Sequence, residues 1–497
     1  MKKKQFSTYT LLQTLDGNEQ QYIAKRITSP SLRQLYDKQI SFLAKGRSAE
    51  HVESVLLKTS NTNALRVAQH QLYNEALRLI VQYHTKQNNT FDSYTELLKT
   101  DVLKYKNLLH LYELALKKQL AQAKQDGNLS LAYEIAMRLL HVAGLFVQDD
   151  TPKLVEHYSK QLQELSQVHY TIAQLTTTFY NLLKLLSQNR YFLQQDDEHA
   201  IEAFEKALPL ATPYLKSYHE VAFYYHSNKV LIYALQFDHE ALQQQMNKLH
   251  IAVKKQGSSL QLTSMYVMVL HIYINSRFSV RDFDSVKTAL LEIAALKSKD
   301  PVMQATKFGI LYCNRTRYEA TSLQYESLKK TFQYIRNNYE KHIQYFSVDI
   351  KTTLYANSII AAYILEQYED CKHFHDLTRK MSRRVMRKDA YSFIRIFLLI
   401  VYISSEDFEA LEKQYRKIKR ELTLERRNFK CDYAILDCVN NIIKGNSVKK
   451  SVLALSDKLV PLLTDDYESL PLRYFNFIGW CKSVGKGVSY RRYNLMK

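Results

Sequence analysis

The chain has 497 residues and a formal net charge of +20, and 46 % of its residues are hydrophobic. Its ten glycines and seven prolines are too few turn formers for an all-β or an α/β protein of this length, so the composition predicts an all-α fold of long helices joined by short polar turns. The five cysteines are odd in number and form no C-x-x-C pair, which fits ordinary buried thiols in a reducing compartment.

Residues 1–90 are predicted to form an N-terminal helical region. Within it, helices over 49–58 and 63–81 are joined by the polar turn Thr59-Ser-Asn-Thr62, an arrangement similar to a helix-turn-helix at 49–85. The alternative, an antiparallel helix pair that opens a longer array, is favoured by the full apolar stripe on the second helix. The order of the segments LLQTLDGNEQQYIAKR and ALRVAQHQLYNEALRLI also resembles a group of uncharacterised bacterial helical-repeat proteins, a resemblance that implies no particular chemistry.

Small and aromatic residues form a stripe in the stretch 198–214. Ala200, Phe204 and Ala207 recur at i, i+4 and i+7, which places them on one face of a helix, where the small side chains let a second helix approach closely. Two prolines, one of them Pro209, then end the segment. This spacing resembles the second helix of a tetratricopeptide (TPR) repeat. The resemblance implies packed helix pairs and leaves the activity open.

Weaker copies of this pattern recur within residues 91–445. Several start with an aromatic residue, an acid and, three positions after the aromatic, a small or apolar residue: FDSV from Phe283, YEAT from Tyr318, YEDC from Tyr368 and FEAL from Phe408. The anchor positions lie 41, 45, 35, 50 and 40 residues apart, whereas a TPR repeats after about 34 residues. Tyr325 and Tyr415 are predicted to pack inside two of the units. We therefore predict an irregular TPR-like α-solenoid of antiparallel helix pairs.

Residues 446–497 are predicted to form C-terminal capping helices and a basic tail. The segment Leu470–Cys481 is short and apolar, which suits a lid over the last helices, because the end of a helical array must be covered. The residues after it contain Tyr490-Arg-Arg-Tyr493 and two glycines. We expect this tail to be mobile.

Basic residues concentrate in the second half of the chain, where residues 251–497 hold 41 Lys and Arg against 25 Asp and Glu. A helix predicted over 379–388 carries six cations on half of its surface: Arg379, Lys380, Arg383, Arg384, Arg387 and Lys388. A second row follows: Lys413, Arg416, Lys417 and Arg420. Because arginine binds phosphate or carboxylate through paired hydrogen bonds, the rows predict an anion-binding surface. The alternative is an ordinary solvated helix face.

Motifs for catalysis are absent from the sequence, which has no P-loop, dinucleotide-binding, zinc-protease or nucleophile-elbow pattern. His373 and His375 stand two positions apart and point to different sides of a helix, so they cannot easily share a metal ion. We expect no enzyme and no cofactor. A scaffold or adaptor for a protein or peptide partner is the preferred function. The alternative is a regulatory protein whose basic half binds nucleic acid or another acidic partner.

The compartment follows from two further features of the sequence. No run reaches the roughly 18 apolar residues of a membrane span, so we predict no transmembrane segment. The basic N-terminus is not followed by the apolar core of a signal peptide. Together with the cysteine usage, these features predict a cytoplasmic protein.

Overall fold

The computed structural model describes residues 8–48, 51–52, 54–56, 62–85, 89–145, 151–187, 195–255, 260–298, 300–381, 386, 388–424, 429–465, 468–469 and 471–496. Every regular element in those ranges is a helix, which confirms the all-α prediction. The chain divides into two compact units, residues 1–167 and 168–497. The boundary expected near residue 90 falls inside the first unit.

The first unit opens with α1 (Thr8–Thr14), α2 (Gly17–Ala24), α3 (Pro30–Ala44) and α4 (Thr62–Thr85), and helical residues also occur at 51–52 and 54–56. Asp16 and Glu19 form a capping box at the start of α2, each side chain accepting the other's backbone N–H at 2.8 Å. The long helix α4 packs against the other three and buries Leu72 and Ala76 completely. The turn predicted at 59–62 lies mostly outside the described residues, so the helix-turn-helix stays a prediction.

Four longer helices follow: α5 (Asn89–Tyr105), α6 (Leu109–Gln125), α7 (Leu129–Leu145) and α8 (Thr151–Ser187), of which α8 continues into the second unit after residue 167. Helix α5 packs against α6, and α6 packs against α7. The Gln119 side chain on α6 donates a hydrogen bond to the Thr100 hydroxyl on α5 (2.8 Å), and Arg138 on α7 forms an ion pair with Asp101 on α5. Polar contacts thus join three successive helices.

The second unit adds α9 (Gln195–Ala211), α10 (His219–Leu235), α11 (His239–Lys255), α12 (Leu260–Ser279), α13 (Phe283–Ala295), α14 (Pro301–Thr321), α15 (Tyr325–His342), α16 (Val348–Ile364), α17 (Tyr368–Arg379), α18 (Lys388–Ser404), α19 (Phe408–Leu424), α20 (Lys430–Ile443), α21 (Val448–Leu459), α22 (Phe477–Lys486) and α23 (Tyr490–Leu495). Helix α9 buries Ala200, Phe204 and Ala207, as a packed stripe requires. Pro209 lies in its last turn.

Helices α10 to α21 form six consecutive pairs, and within each pair the two helices are joined by a short turn and packed together. The first helix of each pair also contacts the first helix of the next pair, from α10 to α12 and onward to α20. The apolar core runs along these contacts between helices. Phe332, Phe374 and Phe397 are fully buried within one continuous apolar cluster that extends from α14 to α22.

The same backbone turn joins the two helices in all six pairs. One residue in each turn has a positive φ between 56° and 84°: Phe237, Arg281, Leu323, Glu366, Glu406 and Gly445. The N–H of the following residue bonds to the carbonyl five positions earlier, as in Asp238 to Tyr233 (3.0 Å) and Asp407 to Tyr402 (3.1 Å), which is the Schellman motif. These turn residues lie 44, 42, 43, 40 and 39 residues apart. The turns of the six pairs therefore recur every 39–44 residues.

The irregular spacing expected from the sequence came from one misassigned unit. The YEAT stretch that begins at Tyr318 lies inside α14, whereas the helix that corresponds to the other copies, α15, begins at Tyr325. An aromatic residue followed by an acid occurs at both places, so the pattern alone could not distinguish them. The left-handed turn residue just before Tyr325 is a leucine, which gives no sequence signal for a turn.

Replacing Leu323 with glycine is expected to stabilise the fold by about 0.5–1 kcal/mol, because a residue with a Cβ is strained at its φ of 59° and glycine is not. Ser322→Gly is the matched control, since Ser322 has a φ of −86° and donates its hydroxyl to the Tyr318 carbonyl (2.7 Å). The control should lose stability. Urea unfolding of both variants measures the difference, and equal losses would contradict the role of the turn.

Buried amide side chains on α10, α14 and α16 each bond to the helix two before them in the chain: α8, α12 and α14. Asn228 donates to the carbonyl of Leu175 (2.9 Å), Asn314 bonds to the Nδ1 atom of His271 (2.9 Å), and Asn357 donates to the carbonyl of Cys313 (3.0 Å). Positions 228, 271, 314 and 357 are each separated by 43 residues. A spacing of 43 residues is therefore present in the sequence at polar positions, away from the aromatic anchors.

The C-terminal residues turn back across the last pairs. Phe475 stacks its ring edge on Phe397 of α18, with ring centroids 4.8 Å apart, and it also contacts Tyr490 at 4.7 Å. The Arg491 guanidinium lies 5.1 Å from the ring centroid of Tyr325. Residues 471–481 thus pack on the last helices, and the stretch after them, expected as a mobile tail, is helical: α22 continues to Lys486 and the N-capped helix α23 follows.

Candidate anion-binding surface

The second basic row lies on one outward face of α19. Leu411 and Ile418 on the opposite face are fully buried, so the core fixes the rotation of the helix. Lys413, Arg416 and Arg420 are exposed, and Lys417 beside them is half-buried. Tyr415, predicted as a packing residue, is partly buried against the core, and Tyr325 on α15 is buried. The row is therefore held at a defined surface.

Carboxylates within α19 balance only part of its charge. Arg416 is paired with Glu412, and Lys417 lies 4.0 Å from Glu421. The helix contains five basic and three acidic residues, which leaves a net charge of +2. The Arg416 side chain keeps 74 % of its surface exposed in its ion pair. An anion in solution can therefore reach this guanidinium without displacing the core.

The helix predicted over 379–388 is wrong. Helix α17 ends at Arg379, and the N–H of Lys380 bonds back three residues to the Leu377 carbonyl, which tightens the last turn. The next helix begins at Lys388, so these cations belong to two helices and the segment between them. One helix pair must end before the next pair can begin, and a run of basic residues contains no residue that marks the end of the helix. Arg383, Arg384 and Arg387 lie outside the described residues.

Cations from both predicted rows influence one buried histidine. His375 on α17 is buried, and both Lys417 of α19 and Arg379 of α17 act on its charge. Lys372, one turn earlier on α17, forms an ion pair with Asp407 at 3.4 Å, at the start of α19. The surface of α17 and α19 thus presents cations from successive helix pairs. We define Lys413, Arg416, Lys417 and Arg420 as the α19 cation row.

The two histidines of α17 occupy different environments, as their spacing predicts. The His373 Nε2 atom lies 3.2 Å from the hydroxyl of Tyr339, and His375 lies in the core with Asp376 beside it. Among the residues that the structure describes, no three His, Cys, Asp or Glu side chains cluster as metal ligands would. All five cysteines are free thiols, and burial raises the pKa values of Cys371 and Cys431.

Stability is expected to fall in mild acid because of His375. Burial lowers the pKa of this imidazole to about 4, an effect that Asp376 opposes and that Lys417 and Arg379 assist. A histidine in the unfolded chain titrates near pH 6.5. The stability that neutral His375 contributes is therefore fully present above about pH 6.5. It is lost as the pH falls toward the pKa of the folded state, by up to roughly 3 kcal/mol. Urea unfolding from pH 7 to pH 4 measures the loss.

The matched variants for this titration are His375→Gln and His373→Gln. The first removes the buried imidazole, so its stability should change less with pH than that of the wild type. The second removes an exposed histidine two positions away and should keep the wild-type pH dependence. Identical pH profiles for the wild type and His375→Gln would show that this residue does not set the acid limit.

A shallow depression rich in acidic residues lies beside the turns of two neighbouring helix pairs. It measures about 430 Å³ and is lined by Glu366, Gln367, Tyr368, Glu369, Asp370, Lys372, Ser405 and Asp407. Lys372 bridges it, with its Nζ atom 2.9 Å from Glu369 and 3.4 Å from Asp407. The sequence gives no signal for this site, because its acids follow turns that glycine does not mark. The depression and the α19 cation row give this part of the second unit two surfaces of opposite sign.

No protein-family model matches the chain, and neither a curated protein nor a solved structure matches it. The TPR resemblance accordingly remains a prediction. Within the described ranges, no helix has the length and apolar character that crossing a membrane requires.

Proposed function

We propose that this protein is a non-enzymatic, TPR-like helical-repeat scaffold that binds an acidic segment of a partner protein. The observation that carries the proposal is the α19 cation row, held outward by a buried apolar face on a stack of repeated helix pairs. Repeated pairs offer extended surfaces to partner segments. The free, buried cysteines support a cytoplasmic setting, where thiols stay reduced.

Carboxylates are the favoured ligands for this row. The guanidinium of Arg416 already donates to the carboxylate of Glu412, and Lys417 lies near the carboxylate of Glu421. Arginine offers a planar set of donors that matches a second carboxylate, and its charge persists at every physiological pH. A segment with acids spaced along one side can therefore meet Lys413, Arg416 and Arg420 together.

Selection of random peptides on the immobilised full-length protein tests this function. Peptides rich in Asp and Glu are expected from the wild type. A variant with Lys413→Glu, Arg416→Glu and Arg420→Glu should lose this enrichment. The matched control, with Lys248→Glu, Lys287→Glu and Lys330→Glu, makes the same change in net charge at dispersed exposed sites and should keep it. Loss of the enrichment in both variants would show that the interaction depends only on the net charge of the protein.

Binding of nucleic acid through the basic half is the second candidate, favoured by the excess of 41 basic over 25 acidic residues in 251–497. This function predicts an affinity for single- or double-stranded nucleic acid that falls steeply with salt. The slope of log affinity against log salt concentration is proportional to the number of phosphates contacted. A filter-binding series over a range of salt concentrations separates the two functions. An acidic-peptide scaffold should bind the nucleic acid no better than the dispersed charge control does.

A further inference from the structure

The hairpin of α5 and α6 has an unusual exposed surface around its turn. Six large apolar side chains there are 46–85 % exposed: Leu98, Val102, Tyr105, Leu108, Leu111 and Leu114. The exposed charged residues over the same stretch are all basic: Lys99, Lys104, Lys106, Lys117 and Lys118. We define these side chains as the hairpin tip. Neighbouring surface helices normally alternate both signs of charge and expose far fewer large apolar groups.

The acidic residues within this stretch are half-buried and form ion pairs. Asp101 is half-buried and paired with Arg138, and Glu113 is half-buried with Lys117 at 2.7 Å from its carboxylate. The nearest exposed acid, Glu96, lies behind Leu98 and is paired with Lys99. The outward charge near the turn is consequently positive throughout.

The apolar side chains form layers at increasing distance from the turn. Tyr105 and Leu108 are nearest to it, Val102 and Leu111 follow, and Leu98 and Leu114 lie one helical turn behind them. At 1.5 Å per residue these layers span roughly 9 Å along the hairpin. Amphipathic elements that enter a bilayer interface insert their apolar groups to roughly 5–10 Å. The depth of the hairpin tip matches that range.

Three backbone N–H groups at the turn are satisfied within the chain. Asn107 has a φ of 58°, its N–H donates to the Lys104 carbonyl, and the Leu108 N–H donates to the Leu103 carbonyl, both at 2.9 Å. The N–H of Lys106 likewise bonds to the Val102 carbonyl. An apolar interface penalises every unpaired backbone donor. This turn can enter such an interface with those donors satisfied.

We propose that the hairpin tip docks onto an anionic phospholipid surface, with the six apolar side chains entering the interface and the lysines contacting lipid phosphates. Charge complementarity selects this occupant, because lysines flank the apolar layers and their long side chains reach back to headgroups. A second copy of the chain is disfavoured, since a two-fold contact would set lysine against lysine. A peptide ligand requires a groove, whereas the exposure of Tyr105 (85 %) marks a protrusion. This inference goes beyond the scaffold function and uses other residues.

Vesicle co-sedimentation with the full-length protein tests the proposal. Vesicles of phosphatidylcholine with roughly one third phosphatidylserine should bind the protein at least about tenfold more tightly than vesicles of phosphatidylcholine alone. Leu98→Gln, Leu111→Gln and Leu114→Gln together should weaken binding to the anionic vesicles at least about tenfold. These sites are exposed and glutamine suits a helix, so the fold should be retained.

The matched control carries Ile251→Gln, Leu291→Gln and Val302→Gln, which alter residues of similar exposure (52–63 %) in the second unit. It should bind the anionic vesicles as the wild type does. Absence of binding, equal binding to both vesicle types, or equal losses in the two triple variants would each overturn the proposal.

A fluorescence measurement separates lipid from protein as the occupant. Because all five native cysteines are buried, His110→Cys can be labelled selectively with an environment-sensitive dye next to the turn. Emission should shift to the blue on anionic vesicles and stay unchanged with a soluble polyglutamate peptide. A shift with the peptide and none with the vesicles would assign the hairpin tip to a protein partner and overturn lipid docking.

Discussion

Replacing Asp432 with alanine is expected to destabilise the second unit by about 3–5 kcal/mol. Asp432 on α20 is fully buried, and its Oδ2 atom accepts a hydrogen bond of 2.7 Å from Nη2 of Arg395 on α18. Its other oxygen accepts the hydroxyl of Ser392. Removing the carboxylate leaves the guanidinium of Arg395, only 4 % exposed, without its counter-charge in the core.

Two comparisons make this prediction specific. Asp437→Ala removes an acid from the same helix, but Asp437 is paired with Lys458 at an exposed site and should contribute less than about 1 kcal/mol. The double variant Arg395→Met, Asp432→Leu removes both charges and should recover most of the loss. Urea unfolding at neutral pH measures all three variants. Coincident unfolding curves for Asp432→Ala and Asp437→Ala would contradict the importance of the buried pair.

Phe475→Ala is expected to cost about 3–5 kcal/mol, because it removes the centre of the aromatic cluster that holds the C-terminal segment. The Phe475 ring lies 4.8 Å from Phe397, 4.7 Å from Tyr490 and 5.6 Å from Tyr363, measured between centroids. These partners come from α18, α23 and α16. The substitution thus removes packing between the returning segment and two first helices at once.

The control for this variant is Phe408→Ala at the start of α19, where the ring is 47 % exposed and should contribute less than about 1 kcal/mol. The single tryptophan, Trp480, is buried on α22, so its fluorescence reports whether the C-terminal segment has left the core. Phe475→Ala should shift the loss of that signal to lower urea. Unfolding at the wild-type urea concentration would mean that the segment contributes little to stability.

Helical periodicity in the sequence predicted the elements whose faces differ strongly. The stripe containing Leu72 and Ala76 is buried in α4, and the cations of the α19 row lie opposite Leu411 and Ile418. In both helices one face must enter the core, so the apolar spacing determines the rotation. Burial of Ala200, Phe204 and Ala207 follows from the same argument.

Turns, and contacts between residues far apart in the sequence, could not be predicted from helical periodicity. Five of the six pair turns place a residue other than glycine at a positive φ, and their left-handed conformation is imposed by the packed helices on either side. The break after Arg379 is likewise set by the need of α18 to return along the stack. The contact of Phe475 with Tyr363 joins residues more than one hundred positions apart, which no local pattern specifies.

Equilibrium binding of a selected acidic peptide, labelled and followed by fluorescence anisotropy at physiological salt, tests the scaffold function most directly. Reversal of Lys413, Arg416 and Arg420 to glutamate is predicted to weaken binding at least about thirtyfold, since three charge-assisted contacts become repulsive. Reversal of Lys248, Lys287 and Lys330 should change the affinity less than about threefold. Equal weakening in the two variants, or no weakening in the first, would contradict the assignment of partner binding to the α19 cation row.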